Sequence, residues 1–332
     1  MLINSQHLNP KIRRLSIEQA PIRQGFGEGL LAAAEVDEKI VGLCADLTDS
    51  TKMNLFRDKF PERFFQIGVA EQNLAAVASG MAAMGKIPFV SSYATFSPGR
   101  NWEQIRTTIC YNDRPVKIAG LHAGVSVGPD GGSHQALEDI ALTRVLPNMT
   151  VVAPADAIEA KKATEALAKT KGPAYLRLAR EATPLITTDK SPFILGQANL
   201  LRDSEQIDVG LIACGTMVYQ ALMAAEALAE EGIEAAVLNV HTIKPLDRDA
   251  IVNLAHHAKA IVTAEEHQQA GGLGGAVAEL LATDYPVPIE FVGVDDKFGQ
   301  SGAPMELLAH YGLDSDAIKT ATKKVLKRKG KR

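Results

Sequence analysis

The sequence predicts an α/β protein built as two doubly wound, mainly parallel-sheet domains. Short apolar, β-rich runs recur along all 332 positions, with helix-length amphipathic runs between them. That is the rhythm of repeated βα units. The short runs are apolar nearly throughout rather than alternating, as parallel strands covered by helices on both faces require.

In chain order, strands are expected at 40–44, 88–92, 116–121, 150–153 and 174–178, with helices at 23–36, 70–84, 101–111 and 156–169. The stretch 183–196 holds two prolines, several polar residues and no helical period, so it reads as a linker. After it the rhythm resumes, with strands at 209–213, 235–239, 261–264 and 289–292 and helices at 217–231, 248–256 and 274–282. A last helix is expected from a cap at Asp314 or Ser315, with Ile318, Ala321 and Val325 along one face. The chain therefore divides into domains at 1–188 and 189–332.

Composition narrows the function classes. A net charge of −4 argues against nucleic acid or an anionic membrane as partner. Seven basic residues crowd the last ten positions, where cations suit a solvated helix C-terminus. The three cysteines Cys44, Cys110 and Cys214 are odd in number and lack metal-ligand spacing, which fits a reducing compartment. No apolar run reaches membrane-spanning length and residues 1–24 show no signal-peptide core, so a cytoplasmic protein is expected.

Common nucleotide motifs are missing. There is no Walker loop, and the run Gly271-Gly272-Leu273-Gly274-Gly275 does not fit a dinucleotide fingerprint. Those glycines read instead as a helix start at close backbone approach, and no metal site is expected. What remains is a set of polar islands, each at the end of an expected strand or the start of a helix, the edge where open α/β sheets place ligands. They are Ala45-Asp46-Leu47-Thr48-Asp49-Ser50, Gly68-Val69-Ala70-Glu71-Gln72-Asn73, and the stretches 91–100, 121–135 and 177–181. On its residues alone, Glu71 reads first as an acid answering the helix dipole.

Taken in order, Arg23, Ala45-Asp46-Leu47-Thr48, Gly68-Val69-Ala70-Glu71, Ser91-Ser92-Tyr93, Asp130-Gly131-Gly132-Ser133-His134-Gln135 and Arg177-Leu178-Ala179-Arg180 resemble the transketolases. Ile243-Lys244-Pro245-Leu246-Asp247 extends the resemblance into the second half. The family's diphosphate-binding third, with its Gly-Asp-Gly motif and following Asn, has no counterpart; Gly128-Pro129-Asp130-Gly131 interrupts that pattern with a proline. The chain thus resembles the C-terminal subunit of a split transketolase, a pyrimidine-binding domain followed by the family's C-terminal domain.

The resemblance implies thiamine diphosphate as cofactor, with Mg²⁺ or another divalent cation held by a partner. That partner would be an N-terminal, diphosphate-binding subunit, with this chain a homodimer inside a heterotetramer. The implied reaction moves a two-carbon ketol unit from a ketose phosphate to an aldose phosphate, as in the pentose phosphate pathway. Glu71 is implied as the carboxyl at the pyrimidine N1′, in an apolar pocket that favours the imino tautomer of the ring. Tyr93 and Phe96 are implied as aromatic faces for the pyrimidine; an extra residue in Ser97-Pro98-Gly99 leaves open which ring stacks. Arg23, Ser50, His122 and Arg180 correspond to phosphate-gripping positions. Asp130 and His134 correspond to positions near the sugar hydroxyls and reacting carbons, and Asp46 to an interface position near the cofactor. Trp102 is expected in the core, and Glu265-Glu266-His267 is expected to have no catalytic role. Rival readings are a deoxyxylulose-phosphate synthase half, a 2-oxoacid dehydrogenase β subunit and a non-catalytic scaffold.

Overall fold

The computed structural model describes residues 2–3, 7–12 and 17–330. A seven-stranded sheet runs in the order Thr242–Lys244, Thr150–Val152, Ala174–Leu178, Lys117–Leu121, Ile87–Tyr93, Ile40–Cys44, Phe64–Gln66. All its neighbours are parallel except the first pair. A six-stranded sheet runs Leu2–Ile3, Asn199–Asp203, Ala235–Asn239, Val209–Ala213, Ile261–Gln268, Ile289–Val294. Its last four strands are mutually parallel and its first two pairings antiparallel. Gln19–Pro21 and Ala182–Pro184 form a separate antiparallel ribbon, which takes in the start of the stretch read as linker.

The central strands are buried along their whole length. Every residue of Ile40–Cys44, Lys117–Leu121, Ala174–Leu178, Val209–Ala213 and Ala235–Asn239 is inside. This is the two-face coverage that their unbroken apolar character predicts. On one face, helix Ile22–Val36 meets helix Ala157–Ala168 so closely that a Cβ at Gly25 would sit 1.8 Å from the Ala157 carbonyl oxygen. Only glycine permits that approach.

Side-chain caps set several helix starts. Asp156, Asp247 and Asp314 each accept a hydrogen bond from a backbone N–H in the first turn of the helix that follows. Asp314 is one of the two caps expected from the sequence, and Ile318 and Val325 are buried beneath that last helix; the final two basic residues of the tail lie outside the described residues. The expected helix at 101–111 starts as α at Trp102–Gln104 and widens to a π-helix over Ile105–Cys110. Trp102 packs half-buried against the core and donates its indole N–H to the Leu142 carbonyl at 2.7 Å. All three cysteines are free and buried, and burial pushes the Cys110 thiol up to about 12. Among the described residues no helix is long and apolar enough to cross a membrane.

One buried acid ties the two sheets' surroundings together. Glu159, in the first turn of helix Ala157–Ala168, accepts from the Ala155 N–H at 2.7 Å and from the Asn239 side-chain amide at 2.8 Å. Burial first, and then the neighbouring Asp156, raise its carboxyl to about 8. A folded state that keeps this proton while the unfolded chain ionises near 4.5 loses stability as pH rises between those values. The expected slope is about 1 kcal/mol per pH unit inside that window. Glu159→Gln should flatten it, because Asn239 Oδ1 is buried without a partner among the described residues and can turn to accept from the new amide. Urea midpoints of the wild type and of Glu159→Gln at pH 6 and pH 9 check this: the wild type should lose more stability than the variant over that interval, and the same change in both would show that Glu159 is ionised in the fold.

Candidate active site

Four parallel strands of the first sheet end side by side, and their C-terminal ends carry the polar islands. Ile40–Cys44 leads to Asp46, Ile87–Tyr93 ends on Tyr93, Lys117–Leu121 leads to His122, and Ala174–Leu178 leads to Arg180. Helix Ile22–Val36 brings Arg23 in its first turn. Helix Glu71–Ala83 begins on Glu71 itself.

Glu71 is buried, 1% exposed. The sequence reading expects a carboxyl among apolar neighbours, and here the structure corrects it. Oε2 accepts from Arg100 at 2.8 Å, Oε1 lies 3.4 Å from the Ser92 hydroxyl, and Asn101 donates to the Glu71 backbone carbonyl at 3.0 Å. A carboxylate this deep needs such partners, since an unpaired buried charge is costly. Arg100 is half-exposed and its guanidinium also lies 4.8 Å from the centre of the Phe96 ring. The Ser97-Pro98-Gly99 turn makes this possible: a Cβ at Gly99 would stand 2.1 Å from the Thr95 carbonyl oxygen.

The aromatic pair stands between two polar regions. Tyr93 and Phe96 stack at 6.3 Å with 18° between planes. Phe96 touches the Glu71 side through Arg100, whereas Tyr93 lies 4.0 Å from the His122 ring. His134 meets both rings edge-on, at 5.3 Å from Phe96 and 6.1 Å from Tyr93.

On the Tyr93 side, positive groups converge. Arg23 donates to the Ser50 carbonyl at 2.7 Å and to His122 Nε2 at 3.1 Å. Arginine can only donate, so His122 Nε2 accepts and its proton sits on Nδ1. That Nδ1 is buried with no partner among the described residues. Burial first, and then Arg23, Arg180 and His134, push His122 down to about 3. Arg23 is lowered from its ordinary value by burial and then by Arg180. Two arginines that repel each other beside a neutral, donating imidazole can hold an anion, with Asp130 and Glu181 as the carboxylates nearest Arg180.

The remaining expected residues also fall on this edge. Arg180 donates to the Val127 carbonyl at 2.8 Å and lies 3.4 Å from Asp130. His134 Nδ1 is 2.9 Å from the Ser133 hydroxyl. Asp46 is exposed at a positive φ of 58°, its N–H donating to Gln66 at 2.7 Å. The structure thus brings Glu71, Tyr93, Phe96, His122, His134, Arg23, Ser50, Arg180 and Asp130 along one sheet edge, with Asp46 two strands from His122. Clefts of about 560 Å³ beside Leu200 and His257 and about 440 Å³ beside Phe291 and Tyr311 contain none of these residues. Chemistry rather than enclosure locates the site.

Sequence reasoning misses Arg100 and Asn101 as partners of Glu71, and it misses what the second sheet contributes. Glu265 accepts from the Leu273 and Gly274 N–H groups at 2.7 and 2.8 Å, closing the start of helix Leu273–Asp284. A Cβ at Gly272 would stand 2.0 Å from that carboxylate, the close approach which the glycine run suggested. Among the described residues no cluster of three or more His, Cys, Asp or Glu is arranged to hold a metal ion.

The model of the transketolase pyrimidine-binding domain matches residues 18–185, and that of the transketolase C-terminal domain matches 196–318. A protein described as a transketolase C-terminal section, from Methanocaldococcus jannaschii, is 44% identical over 90% of this chain and 93% of its own. A 6-deoxy-6-sulfo-D-fructose transketolase subunit from a Clostridium strain is 40% identical over 95% of this chain and 97% of its own. Human transketolase is 36% identical over 91% of this chain, which spans 48% of the human protein. Among solved structures, a split-gene transketolase described as an inactive beta4 tetramer superposes with a TM-score of 0.86. It is 46% identical and covers 92% of this chain and 98% of its own.

Proposed function

We propose, on the premise that this chain belongs to the transketolase family, that it is the pyrimidine-side subunit of a split, thiamine-diphosphate-dependent transketolase. Its reaction moves a two-carbon ketol unit from a ketose phosphate to an aldose phosphate, as in pentose phosphate interconversion. The observation that carries this reading is the sequence of groups along one edge: a buried carboxylate, an aromatic pair, then two arginines around a neutral histidine.

When bound, thiamine diphosphate supplies a ring carbon acidic enough to act, once deprotonated, on a ketone. A flat aminopyrimidine fits the residues present, with a carboxyl for its ring nitrogen and an aromatic face beside it. Glu71 holds or shares the proton at N1′, and Phe96, which shares Arg100 with Glu71, offers the stacking face. Tyr93 turns toward the substrate. Arg23, His122 through its Nδ1–H, which has no partner among the described residues, and Arg180 grip the sugar phosphate, while the Ser50 carbonyl orients Arg23. His134 and Asp130 stand where sugar hydroxyls pass.

The diphosphate and its divalent cation fall to a partner subunit, a division supported by relatives described as a transketolase C-terminal section and as a transketolase subunit, each matched over most of its own length. The split-gene relative, inactive as a tetramer of β chains by its description, supports that division. The unpaired, buried cysteines suit a reducing cytoplasm.

Arg180→Ala tests the substrate assignment. A charge-assisted hydrogen bond contributes about 1.5–3 kcal/mol, so KM for phosphorylated sugars should rise about ten- to a hundredfold. Sugars without phosphate should be nearly unaffected. Equal losses on both substrate types would mean that Arg180 supports the loop rather than gripping phosphate.

A further inference from the structure

The loop that follows His122 is shaped by a residue from the other sheet. Glu266 lies on strand Ile261–Gln268 and is 2% exposed. Its Oε1 accepts from the Ser126 N–H at 2.7 Å, and its Oε2 accepts from the Thr216 hydroxyl at 2.9 Å. Arg177, from the first sheet, donates to the Glu266 backbone carbonyl at 2.7 Å and fixes the strand from the other side. Gly124 makes room for the carboxylate: it has φ of 90°, and a Cβ there would stand 2.2 Å from Oε1.

What this carboxylate holds leads directly to the anion pocket. The residue after Ser126 is Val127, whose carbonyl accepts from Arg180 at 2.8 Å. Gln135 braces the same turn, donating to the Val125, Gly128 and Gln300 carbonyls at 3.1, 3.2 and 3.0 Å. The Ser126 amide is thus pinned one residue from the carbonyl that aims Arg180. A buried N–H left unmatched would pull the turn out of place.

We propose that Glu266 is a positioning residue for Arg180, fixing the 124–128 backbone so that the guanidinium stays in the anion pocket. This rests on the reading of that pocket as phosphate-binding. The chemistry of the second sheet then enters the first sheet's site without touching substrate.

The test uses the full chain without cofactor and inorganic phosphate as the probe, with affinity read by calorimetry or ³¹P NMR. Arg180→Ala should weaken phosphate binding about tenfold. Glu266→Ala, shown folded by circular dichroism, should weaken it comparably, and the double variant should lose no more than Arg180→Ala alone. Glu266→Gln should restore affinity to within about twofold, since its amide can accept from Ser126 and donate to the Thr216 hydroxyl. Should Glu266→Ala not fold, Thr216→Val removes one anchor with little change in shape and should give part of the loss. Unchanged affinity in the folded Glu266 and Thr216 variants, with Arg180→Ala still weakened, overturns the positioning role. If Arg180→Ala binds phosphate like the wild type, or the wild type does not bind it, the phosphate reading itself fails and takes this inference with it.

Discussion

Purified alone and given thiamine diphosphate, a divalent cation, a phosphorylated ketose and an aldose acceptor, the chain should show no measurable ketol transfer. Its share of the site is the pyrimidine side. The relatives it matches over most of their own length are described as a C-terminal section and as a subunit, and a diphosphate without the groups that hold its cation is a poorly neutralised charge. Affinity for the cofactor should therefore be weak, and cofactor should leave the chain's melting temperature in place. Addition of an N-terminal, diphosphate-binding subunit should restore turnover. It should also produce a cofactor-dependent rise in melting temperature, because a ligand that binds only the folded assembly stabilises it by mass action. At a hundredfold excess over Kd that stabilisation is about 2.7 kcal/mol. Robust turnover by the single chain would remove the case for a split enzyme. A heteromer that forms but shows no cofactor-dependent shift would favour a scaffold.

The fold was legible where burial is symmetric. Strands such as Ala174–Leu178 and Ala235–Asn239 are covered on both faces, so their composition alone marks them. Several strands at or next to a sheet edge escaped. Phe64–Gln66 is half-exposed at the end of its sheet. Asn199–Asp203 contains Arg202, which is fully buried because Glu234 lies 3.2 Å away on a neighbouring turn; nothing local announces that pairing. Thr242–Lys244 is short and joins the first sheet although it follows the linker.

The site divides in the same way. Residues at strand ends and helix starts sit at positions that an α/β rhythm locates, and the motif order supplied their chemical roles. Arg100 did not stand out, because its pairing with Glu71 crosses 29 positions and depends on a turn that only Gly99 can close. Glu266 reaches Ser126 across 140 positions. Such contacts exist only after the two sheets have packed, so no local pattern contains them.

Glu71→Gln is expected to have the largest effect of any single substitution. The replacement keeps length and one acceptor oxygen but cannot hold or pass a proton at the pyrimidine N1′. Fold and assembly should survive. Arg100 is half-exposed and can turn to water when its partner is lost, and a first-turn acid contributes only about 0.3–1 kcal/mol through the helix dipole. Activity of the reconstituted complex should fall by about 10²–10⁴, the range for a positioned acid or base. Exchange of the cofactor's C2 proton, followed by NMR, should slow in parallel, and this readout is independent of sugar binding. Arg100→Ala serves as the control for electrostatics: it removes the counter-ion while leaving the carboxyl in place, so it should alter exchange far less than Glu71→Gln. If exchange in Glu71→Gln stays at the wild-type rate while turnover drops, the carboxyl acts on substrate and not on the ring. The pyrimidine would then have to be recognised by another group on this edge, and His134, edge-on to both aromatic rings, is the next residue to test.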